Sequence, residues 1–163
     1  MPTDEFIPRP ATEADDSEIR RLIREGQINP MGLDWQRFRV IHAPPGDVTP
    51  EGDAPSLGGI IACGQIKPHT DGSQELASIT VDSRWRGRGH ARRMMEQLLG
   101  EHPGTLYLMC ESSLETFYQK FGFFVITEAE YPKYFRRMKK LMSLPEKLGG
   151  FEILIMRRAG ADA

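Results

Sequence analysis

Residues 79–91 read ITVDSRWRGRGHA and carry an apolar strand through a glycine-rich turn into a helix. Such a turn points several backbone N–H groups at one anion, and the N-terminus of the following helix adds partial positive charge. Gly87 and Gly89 let a bulky anion reach that backbone, because they have no side chain to block it. Five arginines lie in this segment and in the two residues after it, at positions 84, 86, 88, 92 and 93. The segment predicts a site for a phosphate-bearing ligand.

A simpler interpretation of the same residues stays open, namely a tight strand-to-helix turn with solvated arginines. Two familiar phosphate motifs do not fit the stretch. A Walker loop needs Gly-Lys followed by Ser or Thr, and a dinucleotide fingerprint needs three glycines in its own spacing and a later acidic residue. If the turn binds phosphate, it is therefore neither of these nucleotide loops.

The elements around the turn predict an α/β protein. Alternation over 75–81 is typical of a strand, and Glu75 is expected to share one face with the apolar residues up to Val81. Apolar residues then recur at helical spacing, at 91, 94, 95, 98 and 99. Further strands are predicted over 35–42, 57–66, 105–110, 123–126 and 151–157, and further helices over 12–26, 112–122 and 131–144. Their order predicts a mixed sheet with helices on both faces.

Two helix starts and one loop can be assigned from short local patterns. Residues 12–15, TEAD, and 112–115, SSLE, have the form of capping boxes, in which a hydroxyl and an acidic side chain satisfy the first N–H groups of a helix. Residues 43–56 are rich in proline and glycine and predict an exposed loop.

Length and composition indicate one domain without a membrane span. A chain of 163 residues is expected to form a single domain, with its core over about residues 5–158. Its longest apolar runs are far shorter than the roughly 20 residues of a membrane-spanning helix. The acidic N-terminus does not resemble a secretory signal, so a cytoplasmic location is expected. Cys63 and Cys110 lie in apolar stretches and are expected to be buried and reduced.

The net charge of −2 conceals a segregated charge distribution. Five arginines lie between positions 84 and 93, five more cations lie between 133 and 140, and acidic residues gather in the first 53 positions. The second basic group predicts either a solvated helix face or a lid that attracts an anionic ligand, and it lies in an apparent helical insertion over about 130–146. Overall balance excludes a uniformly basic protein, and the clustering points to one compact phosphate-bearing ligand.

The turn and a second motif together resemble one known family. Residues 86–91, RGRGHA, fit the pattern Arg/Gln-x-x-Gly-x-Gly/Ala of the pyrophosphate loop in the GNAT N-acetyltransferase superfamily. Residues 117–123, FYQKFGF, resemble its second signature, an aromatic-Tyr pair followed by Gly-Phe. The resemblance implies the GNAT fold, with a mixed, mostly antiparallel sheet of about seven strands. It also implies transfer of an acetyl group from acetyl-CoA to a primary amine, without a metal.

The resemblance assigns donor-binding roles to individual positions. The backbone of Ile79, Thr80 and Val81 would bind the pantetheine amides and the thioester carbonyl. The pyrophosphate would be wrapped by Arg86, Gly87, Arg88, Gly89, His90, Ala91 and Arg92, with Phe117 also at the donor site. One departure stands out, because Glu111 occupies a position where many members have an asparagine that holds the cofactor arm. Its contact is expected to pass to Ser113 or to be lost.

Two residues are expected to move protons. Tyr118 would be the general acid for the leaving thiolate, since a phenol stays protonated at neutral pH; the alternative is a packed tyrosine on an amphipathic helix. Glu75 is a candidate base for the attacking amine, with a solvated glutamate or a water chain as alternatives. Cys110 is a less favoured acyl carrier, so direct transfer in a ternary complex is expected.

The acceptor amine and the assembly state are less constrained by the sequence. The resemblance places the acceptor near residues 29–35, Tyr131 and Tyr134, and allows a monomer or a homodimer. No nucleic-acid or membrane partner is expected. A non-catalytic acyl-CoA sensor and a nucleic-acid-binding module that uses the basic helix stay open as alternatives. The four histidines have no metal-ligand spacing.

Overall fold

A computed structural model of the chain describes residues 6–44, 59–149 and 152–161, with the backbone alone over 143–149. The strands of this part are β1 (Arg9–Pro10), β2 (Phe38–His42), β3 (Ile60–Pro68), β4 (Gln74–Val81), β5 (Leu106–Glu111), β6 (Phe124–Val125) and β7 (Ile153–Arg158). The α-helices are α1 (Asp16–Glu25), α2 (His90–Glu101), α3 (Glu115–Gln119) and α4 (Lys133–Gly149).

The seven strands form one mixed sheet in the order β1-β2-β3-β4-β5-β7-β6. Antiparallel pairs join β1 to β2, β2 to β3, β5 to β7 and β6 to β7. Strands β4 and β5 are parallel, with Glu75 opposite Tyr107. The predicted mixed, mostly antiparallel α/β sheet is therefore confirmed.

The chain divides into two compact units, of which the first comprises the residues up to Ile66 and Ser78–His102. Its helix α1 buries Ile19, Leu22 and Ile23 in one apolar cluster with residues of β2 and β3. The predicted capping box before α1 is present, because the Thr12 N–H donates to the Asp15 carboxylate at 2.8 Å. A short 3₁₀ turn, Glu13–Asp15, leads into α1, which Gly26 ends as predicted.

The second unit comprises Lys67–Ala77 and the residues from Pro103 onward. Strands β5 and β7 pair over their full lengths, and Phe135 of α4 is buried in a cluster with Ile126 and Ile155. The carboxylate of Asp71, in the turn between β3 and β4, accepts the N–H of Tyr134 at 2.9 Å. This bond ties the turn to the first turn of α4.

Several predicted boundaries differ from the structure. Residues Trp35–Arg37 form a 3₁₀ turn before β2 and not the start of a strand, because the Asp34 side chain accepts the N–H of Gln36 at 3.1 Å. The predicted capping box at 112–115 is wrong. Ser112–Leu114 form a 3₁₀ turn, and α3 begins at Glu115 without a side-chain cap. The predicted loop 43–56 lies outside the described residues from position 45 onward.

Candidate active site

The glycine-rich loop leads directly into α2. Gly87 has φ +76° and Gly89 has φ +83°, and Gly89 is the N-cap of the helix. These backbone angles favour glycine, because a side chain is strained there. A Cβ built on Gly87 would meet no described atom within 4 Å, so the backbone angle and not local crowding selects glycine. The loop is exposed from Arg86 to Gly89, and this open cradle fits a diphosphate at the N-terminus of a three-turn helix.

The arginines around this loop are held in different ways. Arg84 is committed to the buried carboxylate of Asp82, to which its Nη2 donates at 3.0 Å. Burial raises the pKa of Asp82, but the hydrogen bonds and charge of Arg84, with the charge of Arg21, hold it below its usual range. Arg88 lies over the Trp85 ring at 4.7 Å, and Arg92 pairs with Glu96 at 2.9 Å on the surface. Arg86, Arg88, Arg92 and Arg93 are exposed, whereas Arg84 is half-buried.

Two buried aromatic side chains support the loop from below. Trp85 is fully buried and His90 is 3% exposed, and the Phe6 ring contacts both. Burial, with the charges of Arg93 and Arg88, lowers the pKa of His90, which favours a neutral ring at pH 7. His90 was predicted to bind the donor. Its ring is buried against Trp85, so its backbone at the start of α2 is the part that could face a ligand.

The end of strand β4 is shaped by a change of backbone direction at Ser78. This residue has φ +61°, and its hydroxyl accepts a hydrogen bond from Gln65 Nε2 at 2.9 Å. The predicted shared face from Glu75 to Val81 is therefore wrong, because Ser78 interrupts the two-residue alternation. The side chain of Ile79 packs beside Gly64, whereas Thr80 lies beside Gly26. Ile79 and Val81 are half-buried and Thr80 is buried.

In the second unit, Tyr118 lies on the short helix α3 among other rings. Phe117 and Phe123 contact it edge-on, with ring centroids 5.1 and 6.2 Å away. Burial, and to a lesser degree the neighbouring Cys110 thiol, raises the pKa of Tyr118 to about 12. The phenol is therefore protonated over the whole physiological range and is available as a hydrogen-bond donor.

The residues between β5 and α3 are exposed. Ser113 is in the 3₁₀ turn, and Glu111 ends β5 with an exposed side chain. Cys110 is 7% exposed, and burial raises the pKa of its thiol to about 11. A neutral, buried thiol is a poor nucleophile, which agrees with the preference for direct transfer.

Glu75 is buried in a cluster that the sequence did not predict. Its Oε2 lies 2.8 Å from Nε2 of His69, and both side chains are nearly inaccessible. Burial, and to a lesser degree the neighbouring Glu75 carboxylate, raises the pKa of Tyr134 to about 12. In the part of the second unit that the structure describes, no hydrogen bond joins Glu75 to Tyr118. The predicted acid and base are thus held by different neighbours.

The residues that the structure describes contain no group of three or more His, Cys, Asp or Glu side chains placed to hold a metal ion. None of their helices is long and apolar enough to cross a membrane.

A comparison with known families found one similar domain. Residues 51–125 match the family model described as Acetyltransferase (GNAT) domain. This range contains both the loop at 86–91 and the second signature at 117–123. This part of the chain is therefore similar to a GNAT acetyltransferase domain, which confirms the resemblance. No curated protein matches the chain.

Solved structures share the fold at low sequence identity. N-acetylglutamate synthase from Neisseria gonorrhoeae, complexed with coenzyme A and N-acetyl-glutamate, aligns with 93% of this chain at 17% identity and a TM-score of 0.64. Rv2747 from Mycobacterium tuberculosis, in complex with CoA and NLQ, aligns with 94% of this chain and 98% of its own at 17% identity and a TM-score of 0.64. Ard1 from Thermoplasma volcanium aligns at 13% identity and a TM-score of 0.60, covering 94% of this chain and 97% of its own. The chain spans 34% of the length of the synthase.

Proposed function

We propose that the chain is an acetyl-CoA-dependent N-acetyltransferase that acts on a primary amine in a ternary complex. The observation that carries this proposal is the exposed loop with two left-handed glycines, which opens α2 inside the region that matches the GNAT domain. Two GNAT-fold neighbours have been solved with coenzyme A. The loop backbone and the N-terminus of α2 would bind the pyrophosphate, and Arg86, Arg88 and Arg92 would add charge.

In this proposal, Tyr118 stabilises the leaving sulfur. The amine nitrogen attacks the thioester carbonyl carbon, a C–N bond forms, and the C–S bond breaks with its electron pair on sulfur. The Tyr118 hydroxyl donates a hydrogen bond to that sulfur. Because the pKa of Tyr118 is raised to about 12, and an ordinary thiol has a value of about 8.5, the phenol stabilises the thiolate and full proton transfer to it is uphill.

The attacking nitrogen must also lose a proton, and Glu75 is proposed as its acceptor. The carboxylate is buried and fixed, which supports a defined role better than a solvated glutamate would. The rest of the donor assignment, at Ile79, Thr80, Val81, Ser113 and Phe117, follows the family resemblance. The proposal leaves the amine itself open to an acceptor screen.

The test is a screen of purified protein with acetyl-CoA and polyamines, amino acids, aminoglycosides and peptides, following release of free thiol. Amine-dependent thiol release, with an acetylated product of the expected mass, is the expected result. Tight binding of acetyl-CoA without transfer to any acceptor would instead support the non-catalytic sensor. Absence of acetyl-CoA binding would contradict both functions.

A further inference from the structure

The cluster around Glu75 contains a histidine that the proposed mechanism does not use. His69 is the first residue of the turn between β3 and β4, and its Nε2 lies 2.8 Å from Oε2 of Glu75. The two side chains are 10% and 8% exposed, so water competes little for this bond. A hydrogen bond between a carboxylate and a nitrogen donor is among the stronger ones, and low accessibility strengthens it further.

The His69 ring is held on several sides. Tyr134 stacks on it with centroids 3.4 Å apart and an interplanar angle of 15°. Phe135 meets it edge-on at 5.9 Å. The backbone N–H of His69 donates to the Ser73 carbonyl at 2.9 Å, which closes the hairpin turn. The imidazole therefore has one packed orientation, in which Nε2 is directed at Glu75.

A neighbouring phenol and a backbone hydrogen bond complete the arrangement. The backbone N–H of Tyr134 donates to Asp71, and the Glu75 carboxylate contributes to the raised pKa of the Tyr134 phenol. The turn between β3 and β4 and the first turn of α4 thus place an imidazole and a phenol beside one buried carboxylate. The other polar groups nearby are Asp71, the buried Lys67 two residues before His69, and Tyr107 opposite Glu75 in β5.

We propose that His69 is a positioning residue for Glu75, holding its carboxylate in one orientation through the Nε2–Oε2 hydrogen bond. This inference rests on the proposed function, in which Glu75 accepts the proton of the amine. Tyr134 is a second positioning residue, because its ring stacks on the imidazole and orients it.

The test compares three variants at position 69 and 75 in steady-state acetyl transfer. His69→Ala should lower kcat by about 10- to 100-fold, as expected for a displaced catalytic group, with KM for acetyl-CoA unchanged. His69→Gln, whose amide N–H can replace Nε2 as the donor to the carboxylate, should recover most of kcat. Glu75→Gln should lose kcat at least as strongly as His69→Ala.

Controls separate positioning from folding and from the proposed function itself. His102→Ala removes a histidine at the end of α2 and should leave kcat unchanged. If His69→Ala keeps the wild-type kcat while Glu75→Gln is impaired, His69 does not position the base. If Glu75→Gln is fully active, the base assignment fails although acetyl transfer stands. If the wild-type protein binds acetyl-CoA but acetylates no amine, the proposed function fails, and the role of His69 fails with it.

Discussion

The loop that opens α2 and the cluster around Glu75 use opposite means to handle charge. The loop at 86–89 is exposed and relies on backbone N–H groups and left-handed glycines. The Glu75 cluster is buried and relies on side chains that three separate elements bring together. Recognition by backbone N–H groups suits a diphosphate, because this ligand is itself charged and can remain partly hydrated at the surface. A single proton needs a side chain of fixed orientation in a place where water is excluded.

The largest effect should come from the side chain proposed to meet the leaving sulfur. Tyr118→Phe removes the hydroxyl and keeps the ring packing against Phe117 and Phe123. A loss of about 10²- to 10³-fold in kcat is expected, as for other hydrogen-bond donors to a developing negative charge. Acetyl-CoA affinity, measured by calorimetry, should stay within a few-fold of wild type. Full retention of kcat would remove Tyr118 from the mechanism.

A smaller effect is expected in the glycine-rich loop. A pair of glycine substitutions at similar backbone angles, one inside the loop and one outside it, separates an effect on donor binding from an effect on stability. Gly87→Ala and Gly72→Ala both place a side chain at positive φ, +76° and +87°, and neither added Cβ meets a described atom within 4 Å. Both should lower the free energy of unfolding by a similar amount, about 1–2 kcal/mol. Only Gly87→Ala should weaken coenzyme A binding, by about tenfold, as followed by titration calorimetry. Equal weakening by both variants would mean that the loop backbone does not bind the donor.

The Asp71 carboxylate, which accepts the Tyr134 N–H, should stabilise the protein less at acidic pH than at neutral pH. Burial raises the pKa of Asp71, but hydrogen bonds from Ser73 and the Tyr134 N–H, with the charge of His69, lower it to about 2 from its usual 3.8. Its contribution to stability is therefore full above about pH 4 and is lost as the pH falls toward 2. The Tm difference between wild type and Asp71→Asn should be present at pH 5 and should shrink at pH 3. A difference that stays constant would show that Asp71 does not act as a charged cap.

The smallest effect should follow loss of an exposed loop cation. Arg92 and its partner Glu96 are both largely exposed, at 73% and 58%. Such pairs contribute about 0–1 kcal/mol to stability, so thermal unfolding of Arg92→Ala should differ little from wild type. Its coenzyme A affinity should fall only a few-fold and should depend less on salt. A loss as large as that of Gly87→Ala would mean that side-chain charge and not backbone geometry dominates at the loop.

The loop could be predicted because its physical requirements are local. Positive φ at Gly87 and Gly89, and the start of α2, all depend on residues adjacent in the chain. The order of the elements along the chain and most helices also followed from local periodicity, whereas the order of the strands in the sheet did not. Boundaries such as 35–37 depended on a turn that the Asp34 side chain closes.

The Glu75 cluster could not be found in the same way. His69 and Glu75 are six residues apart across a turn, so a hairpin register would have suggested their contact. Tyr134 reaches the pair only because α4 packs there, and no local pattern encodes that packing. The change of direction at Ser78 was also missed, since a serine at positive φ carries no sequence signal comparable to glycine.

Burial of both cysteines has a practical consequence for measurement. Cys63 is fully buried, Cys110 is 7% exposed, and burial raises the pKa of both thiols. Aromatic disulfide reagents need an accessible thiolate, so the folded chain should contribute almost no colour to an assay that counts released coenzyme A. The same reagent would then report two thiols per chain once the protein unfolds. One chromophore can thus follow turnover in native buffer and unfolding in denaturant.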